Sequence, residues 1–171
     1  MDALLKEALV RRRARLPAET SCFRWIDGEL PGETIDLFAD VAVVSFYRVA
    51  IPDEARGIGD ALRSTGSVRS VYVKHRPREA KRAANEDVSL LAPPQPVVGD
   101  AVSELEVLEQ GLRFIIRPAN GLSVGLYLDA RDARRWVREH AKGRRVLNLF
   151  SYTCGFGVAA RLGGAARAAA G

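Results

Sequence analysis

Arg144–Ala160 reads RRVLNLFSYTCGFGVAA. Val146 to Phe150 is an apolar run of strand length bounded by basic residues, the pattern of a short buried parallel strand. It breaks at Ser151-Tyr152-Thr153-Cys154-Gly155, a loop of small and hydroxylated residues. Val158-Ala159-Ala160 resumes with helix formers, which run to Leu162 before Gly163-Gly164 stops them. Strand, small-residue loop and helix make the first unit of a doubly wound sheet, where a ligand lies across the loop beyond the carboxyl end of the strand. The stretch predicts an α/β protein with a Rossmann-like unit and a nucleoside-type ligand.

Two ligand classes compete for that loop. Gly155-Phe156-Gly157-Val158-Ala159-Ala160 fits G-x-G-x-x-A, the dinucleotide fingerprint, in which a helix N-terminus receives a pyrophosphate. In a dinucleotide site, however, the first glycine makes the tight turn directly after the strand. Here Ser151, Tyr152, Thr153 and Cys154 intervene, so the turn is wider and lined with hydroxyls.

The longer string Asn148-Leu149-Phe150-Ser151-Tyr152-Thr153-x-Gly155-Phe156 is more specific. It resembles motif I (N-x-F-S-Y-T-G-G-F) of the class I S-adenosylmethionine-dependent ribosomal RNA methyltransferases, in particular the bacterial large-subunit family that makes 5-methylcytosine or 7-methylguanine. The resemblance implies that Asn148, Ser151, Tyr152, Thr153 and Gly155 line the methionine side of S-adenosylmethionine. Cys154 stands where that family has glycine. If the position needs a positive φ, a cysteine there is strained and cofactor affinity falls.

Two further blocks carry the same resemblance. Gln110-Gly111-Leu112-Arg113-Phe114, with Gly125-Leu126-Tyr127-Leu128-Asp129-x-Arg131-Asp132-x-Arg134, is similar to the family's N-G-L-R-F and T-G-F-F-L-D-Q-R-D-N-R segments. Val124 replaces the threonine and Ala130 the glutamine. Tyr127, Asp129 and Arg131 are thereby implied to lie over the cofactor pocket. Phe23–Gly32, with Ile35-Asp36 and Val41–Ser45, looks like the opening of the family's central domain.

The chain of 171 residues, 47% hydrophobic and 27% charged, is long enough for one ordinary core or two small ones. Lysine plus arginine is 26 against 21 acids, a net +5 dominated by arginine, which suits bidentate phosphate contacts and is compatible with an RNA partner; the resemblance implies that this partner is ribosomal RNA. Lys74, Arg76, Arg78, Lys81 and Arg82, next to Tyr72, form the candidate RNA-contacting cluster, and His75 reads as part of the same basic face. Cys22 and Cys154 have neither metal-ligand nor disulfide spacing, so reduced thiols, no metal and a cytoplasmic location are expected. No run is long enough to cross a membrane.

Residues 1–18 are expected as an amphipathic helix with Arg11, Arg12, Arg13 and Arg15 at its tip. Residues 19–92 read as a small α/β domain, 93–100 as a stiff Pro-rich linker, and 101–171 as a hairpin plus the start of the methyltransferase domain. The small domain is expected to hold strands at Cys22–Ile26, Thr34–Phe38, Val41–Tyr47 and Val68–Val73, with a helix at Pro52–Ser64. After the linker come a hairpin across Gln110-Gly111, a strand at Val124–Leu128, and a helix capped by Asp129. Ala133, Trp136, Val137 and His140 should face inward from that helix.

Ala165–Gly171 reads AARAAAG, where a second strand should begin, and it contains no acid of the kind that holds ribose hydroxyls in such folds. The family's later catalytic motifs and its N-terminal PUA domain have no counterpart. The expectation is a single sheet strand with its helix, in a truncated methyltransferase inactive by itself and with catalytic residues unassigned. The alternatives are a non-catalytic RNA-binding module and, more remotely, an NAD-type dinucleotide site.

Overall fold

The computed structural model describes residues 1–48, 52–76 and 87–171. Its residues group into two units, Met1–Val124 and Gly125–Gly171. The first is built on a four-stranded sheet in the order β1 (Cys22–Asp27), β2 (Glu33–Phe38), β3 (Val41–Phe46), β4 (Ser70–His75). The first three strands are antiparallel, and β4 joins β3 in parallel after helix α2 (Pro52–Ser64). The strand bounds agree with the ranges expected from the sequence to within two residues. Leu5, Trp25, Ile35, Val44, Leu62 and Val73 are buried between one face of this sheet and helices α1 (Asp2–Arg13) and α2.

Helix α1 docks through Leu5, Ala8 and Leu9, and the Trp25 indole donates to the Leu5 carbonyl at 2.9 Å. Its basic tip is held in place: Arg11 and Arg12 both pair with Glu29.

The division between units falls after Val124, while the Pro-rich stretch expected as a linker is tied to the first unit. The short helix α3 (Val88–Leu91) leads into it, Leu91 and Ala92 are buried, and Val97 and Val98 bond the backbone of Val71 at 2.8 and 2.9 Å. Proline cannot donate to a ladder, but Val97 after the prolines does, its N–H bonding the Val71 carbonyl while the Val98 carbonyl accepts from the Val71 N–H. The hairpin β5 (Leu105–Glu109) and β6 (Leu112–Ile116) belongs to this unit too. Its turn has positive φ at both Gln110 and Gly111, as a two-residue hairpin needs. It is fastened to the start of β1 by Ser21 and Leu108, which exchange a backbone bond at 2.9 Å and a hydroxyl bond at 2.8 Å. Tyr72 locks the segment between: its hydroxyl accepts from the Val102 N–H at 2.7 Å and donates to the Val102 carbonyl at 3.2 Å.

In the second unit a 3-10 turn (Leu128–Ala130) leads into α4 (Arg131–His140), followed by β7 (Arg145–Asn148), α5 (Gly155–Leu162) and β8 (Arg167–Ala170). Here five expectations are corrected. Residues 165–171 do contain a second strand, because β8 pairs in parallel with β7 from Arg145↔Arg167 to Asn148↔Ala170. Strand β7 is not buried. Val146 and Ala168 pack on one face with Ala141, Ala160 and Ala165, but Leu147 and Leu149 are exposed, since no helix of this unit covers the other face. No strand forms at 124–128, and Asp129 does not cap α4, whose N-cap is Ala130. Finally, Trp136 and His140 face outward, stacked with centroids 4.4 Å apart, and Ala133 is exposed as well. Of the four residues expected to face inward only Val137 does, and it meets the neighbouring elements together with Ala141 and Arg134.

Candidate cofactor site

Residues 149–154 connect the carboxyl end of β7 to α5. Three non-glycine residues in it adopt left-handed backbone: Phe150 (φ +54°), Tyr152 (+47°) and Cys154 (+61°). An L-residue in that region costs on the order of 1–2 kcal/mol, so the alternation stores strain within five residues. It also turns the chain sharply: the Cys154 N–H donates to the Ser151 carbonyl at 2.7 Å, and the Val158 N–H to the Cys154 carbonyl at 2.9 Å. The loop thus closes directly onto the first turn of α5, whose leading N–H groups have no partner within the helix.

The condition attached to Cys154 is met, because its φ is positive. Cys154→Gly is expected to stabilise the second unit by about 1 kcal/mol, since glycine enters left-handed backbone without a Cβ penalty. A denaturant midpoint unchanged or lowered by the substitution would refute this.

The residues expected around a cofactor all lie in the second unit. Asn148 ends β7, and its side-chain Nδ2 is buried with no hydrogen-bond partner. Thr153 donates through Oγ1 to the Gly125 carbonyl at 2.7 Å, and Ser151 approaches the Gly171 carbonyl at 3.5 Å. Tyr152 and Tyr127 are half-exposed neighbours with ring centroids 5.7 Å apart. Gly155 opens α5 and is buried. Asp129 lies exposed on the 3-10 turn, and Arg131 begins α4 half-buried. Above Gly157 there is room: a Cβ built there would have the Asn148 amide as its nearest neighbour, at 3.8 Å.

One positioning residue escaped the sequence reading. Arg134 is buried, and its guanidinium donates to the Tyr127 carbonyl at 2.7 Å, fixing the segment that carries Tyr127. The D-x-R-D-x-R spacing held the only signal for it.

The RNA-contacting cluster fares differently. Lys74 is fully buried, and its ammonium donates to the Pro118 carbonyl at 2.7 Å. Arg76 reaches the Ser45 hydroxyl at 3.2 Å and the Leu122 carbonyl at 2.6 Å. Both clamp the 117–124 turn onto the sheet, and His75 stacks on Phe46 with centroids 5.9 Å apart. Arg78, Lys81 and Arg82 lie outside the described residues. Among the described residues no group of three or more His, Cys, Asp or Glu could hold a metal ion, and no helix is long and apolar enough to cross a membrane.

A parallel strand, a strained loop of small and hydroxylated residues and a helix N-terminus, with an unsatisfied amide between them, are the parts of a nucleoside-cofactor site at the end of a Rossmann-like strand. The sequence profile of the S-adenosylmethionine-dependent methyltransferases matches residues 21–170, and the chain belongs to that family. Within it, the chain is 34% identical over 164 residues to ribosomal RNA large subunit methyltransferase I of Aeromonas salmonicida, covering 94% of this chain and 39% of the relative. The same enzyme of Alteromonas mediterranea is 34% identical, with 91% and 39% covered. Among solved structures, SMU.776, a methyltransferase-type protein in complex with SAH, superposes with a TM-score of 0.81 at 26% identity, over 99% of this chain and 43% of that one. The chain therefore spans about two fifths of the length of the relatives it matches.

Proposed function

We propose that the Asn148–Gly155 loop holds the methionine side of S-adenosylmethionine, and that this chain forms the cofactor-loop portion of a methyltransferase acting on a large-subunit ribosomal RNA base. The observation that carries the reading is the strained loop itself. Three left-handed residues that disfavour folding are set at the carboxyl end of β7, beside an amide with nothing to bond. The residues present fit the group. The Asn148 amide and the leading N–H groups of α5 suit a carboxylate, Asp129 suits an ammonium, and Tyr127 and Tyr152 offer flat apolar faces. The cofactor would supply a sulfonium-bound methyl group, and the chain's own part is to bind and orient it.

Calorimetric titration of the whole chain tests this. Saturable micromolar binding of both S-adenosylmethionine and S-adenosylhomocysteine is expected, weakened about tenfold by Asn148→Ala through loss of one charge-assisted hydrogen bond. Silence up to millimolar cofactor would sink the reading. Binding of NAD in its place would assign the loop to a dinucleotide, against which stands the interval between the last residue of β7, Asn148, and Gly155. RNA binding indifferent to cofactor would mark a non-catalytic module.

A further inference from the structure

The charge of the chain is unevenly distributed. Residues 125–171 hold nine arginines and lysines against three carboxylates, whereas the rest of the sequence is close to neutral. Five of the nine gather at one end of the second unit. Lys142 and Arg144 lie in the connection that enters β7, Arg145 begins β7, Arg161 is in the last turn of α5, and Arg167 begins β8. Backbone bonds hold these segments side by side: the Gly143 N–H donates to the Gly164 carbonyl at 2.9 Å and the Ala166 N–H to the Arg144 carbonyl at 2.9 Å. All five side chains are exposed, and none makes an ion pair with a described residue. Arg161 donates to the Ala165 carbonyl at 3.1 Å.

Arg145 and Arg167 are direct partners in the parallel ladder, so two guanidiniums point from one face of adjacent strands. Like charges placed so are destabilising unless an anion lies between them. The ends of α4 and α5 offset part of this, since each helix C-terminus carries roughly half a negative charge. That accounts for about one cation, not five. Glu139, in the last turn of α4, is the nearest carboxylate in sequence and is exposed.

We infer that Lys142, Arg144, Arg145, Arg161 and Arg167 form a binding patch for the phosphate backbone of RNA, at the end of β7 opposite the cofactor loop. An RNA strand held there is read as charge and not as sequence, which positions the substrate and leaves base choice to other contacts. The partner class rests on the RNA substrate proposed above, but cofactor binding occurs at the other end of β7, so each reading can fail without the other.

Fluorescence anisotropy of the full chain with a labelled single-stranded RNA oligonucleotide provides the test. The Arg145→Gln/Arg167→Gln pair is expected to weaken binding at least tenfold. It should also flatten the logarithmic salt dependence by about 1.4, the loss of two single-strand phosphate contacts. Its helical circular dichroism and urea midpoint should match those of the unaltered chain, which shows that the unit is folded. Arg56→Gln/Arg63→Gln, on the exposed side of α2, should leave RNA affinity unchanged. The patch is overturned if the unaltered chain fails to bind RNA at low salt. It is equally overturned if both pairs weaken binding alike, or if the salt slope of the Arg145/Arg167 pair stays the same.

Discussion

Gly163→Ala is expected to unfold the second unit at concentrations of denaturant that leave the first intact. A Cβ at Gly163 would lie 2.1 Å from the backbone carbonyl oxygen of Arg138 and 2.8 Å from its carbon. Neither is a flexible side-chain end that could swing away, so α4 and α5 would have to separate. The cluster they share, Ala141, Ala160 and Ala165 with Val137 and Val146 against it, consists of small residues whose contact depends on that close approach. A cost of about 2–4 kcal/mol follows, large for so small a core. Gly157→Ala on the same helix is the control. It has no neighbour closer than 3.8 Å, so the fold should tolerate it while cofactor binding suffers at the Asn148 side. The two tryptophans separate the units, Trp25 being buried beneath α1 and Trp136 exposed on α4. Urea unfolding followed at Trp25 should be unchanged in the Gly163 variant while helical circular dichroism is lost early. A single unchanged transition in both signals would refute the close-packing argument.

Stability should also rise with pH through the titration of Lys74. Burial, with the Arg76 charge adding to it, lowers this lysine to about 8 from 10.5. Below pH 8 the ammonium is charged in both states, and the folded chain bears the full cost of holding it away from water. Between pH 8 and 10.5 the unfolded chain binds more protons than the folded one, so the free energy of unfolding increases with pH. From pH 7 to pH 10 this amounts to roughly 2–3 kcal/mol. Lys74→Met removes the titration but leaves the Pro118 carbonyl without its donor, which costs about 1–3 kcal/mol. At pH 7 the two effects nearly offset, and the unaltered chain should gain on the variant steadily towards pH 10. A stability difference between the two chains that is flat over this range would show that Lys74 does not titrate in the folded state.

Much of the architecture was legible in local pattern. Short apolar runs between turn residues in 22–75, a Pro at the start of α2 and the Gln110-Gly111 turn are short-range signals, and they located β1 to β6 closely. The cofactor loop could be read for the same reason. An apolar strand, a run of hydroxylated residues and a helix succeed one another within Arg144–Ala160, and the Cys154 backbone strain was foreseeable from the glycine that normally stands there. Tertiary structure alone decided where charge ends up. Lys74 looked like one of a row of surface cations, yet its fate depends on a carbonyl 44 residues away. Arg134 became an internal strut because the Tyr127 carbonyl lies within its reach. The basic surface of the second unit exists only because parallel pairing sets Arg167 beside Arg145, residues 22 apart in sequence. Hydrophobic periodicity constrains a residue's face through its immediate neighbours, whereas the partners of a long charged side chain are fixed by which distant segments the fold brings into reach.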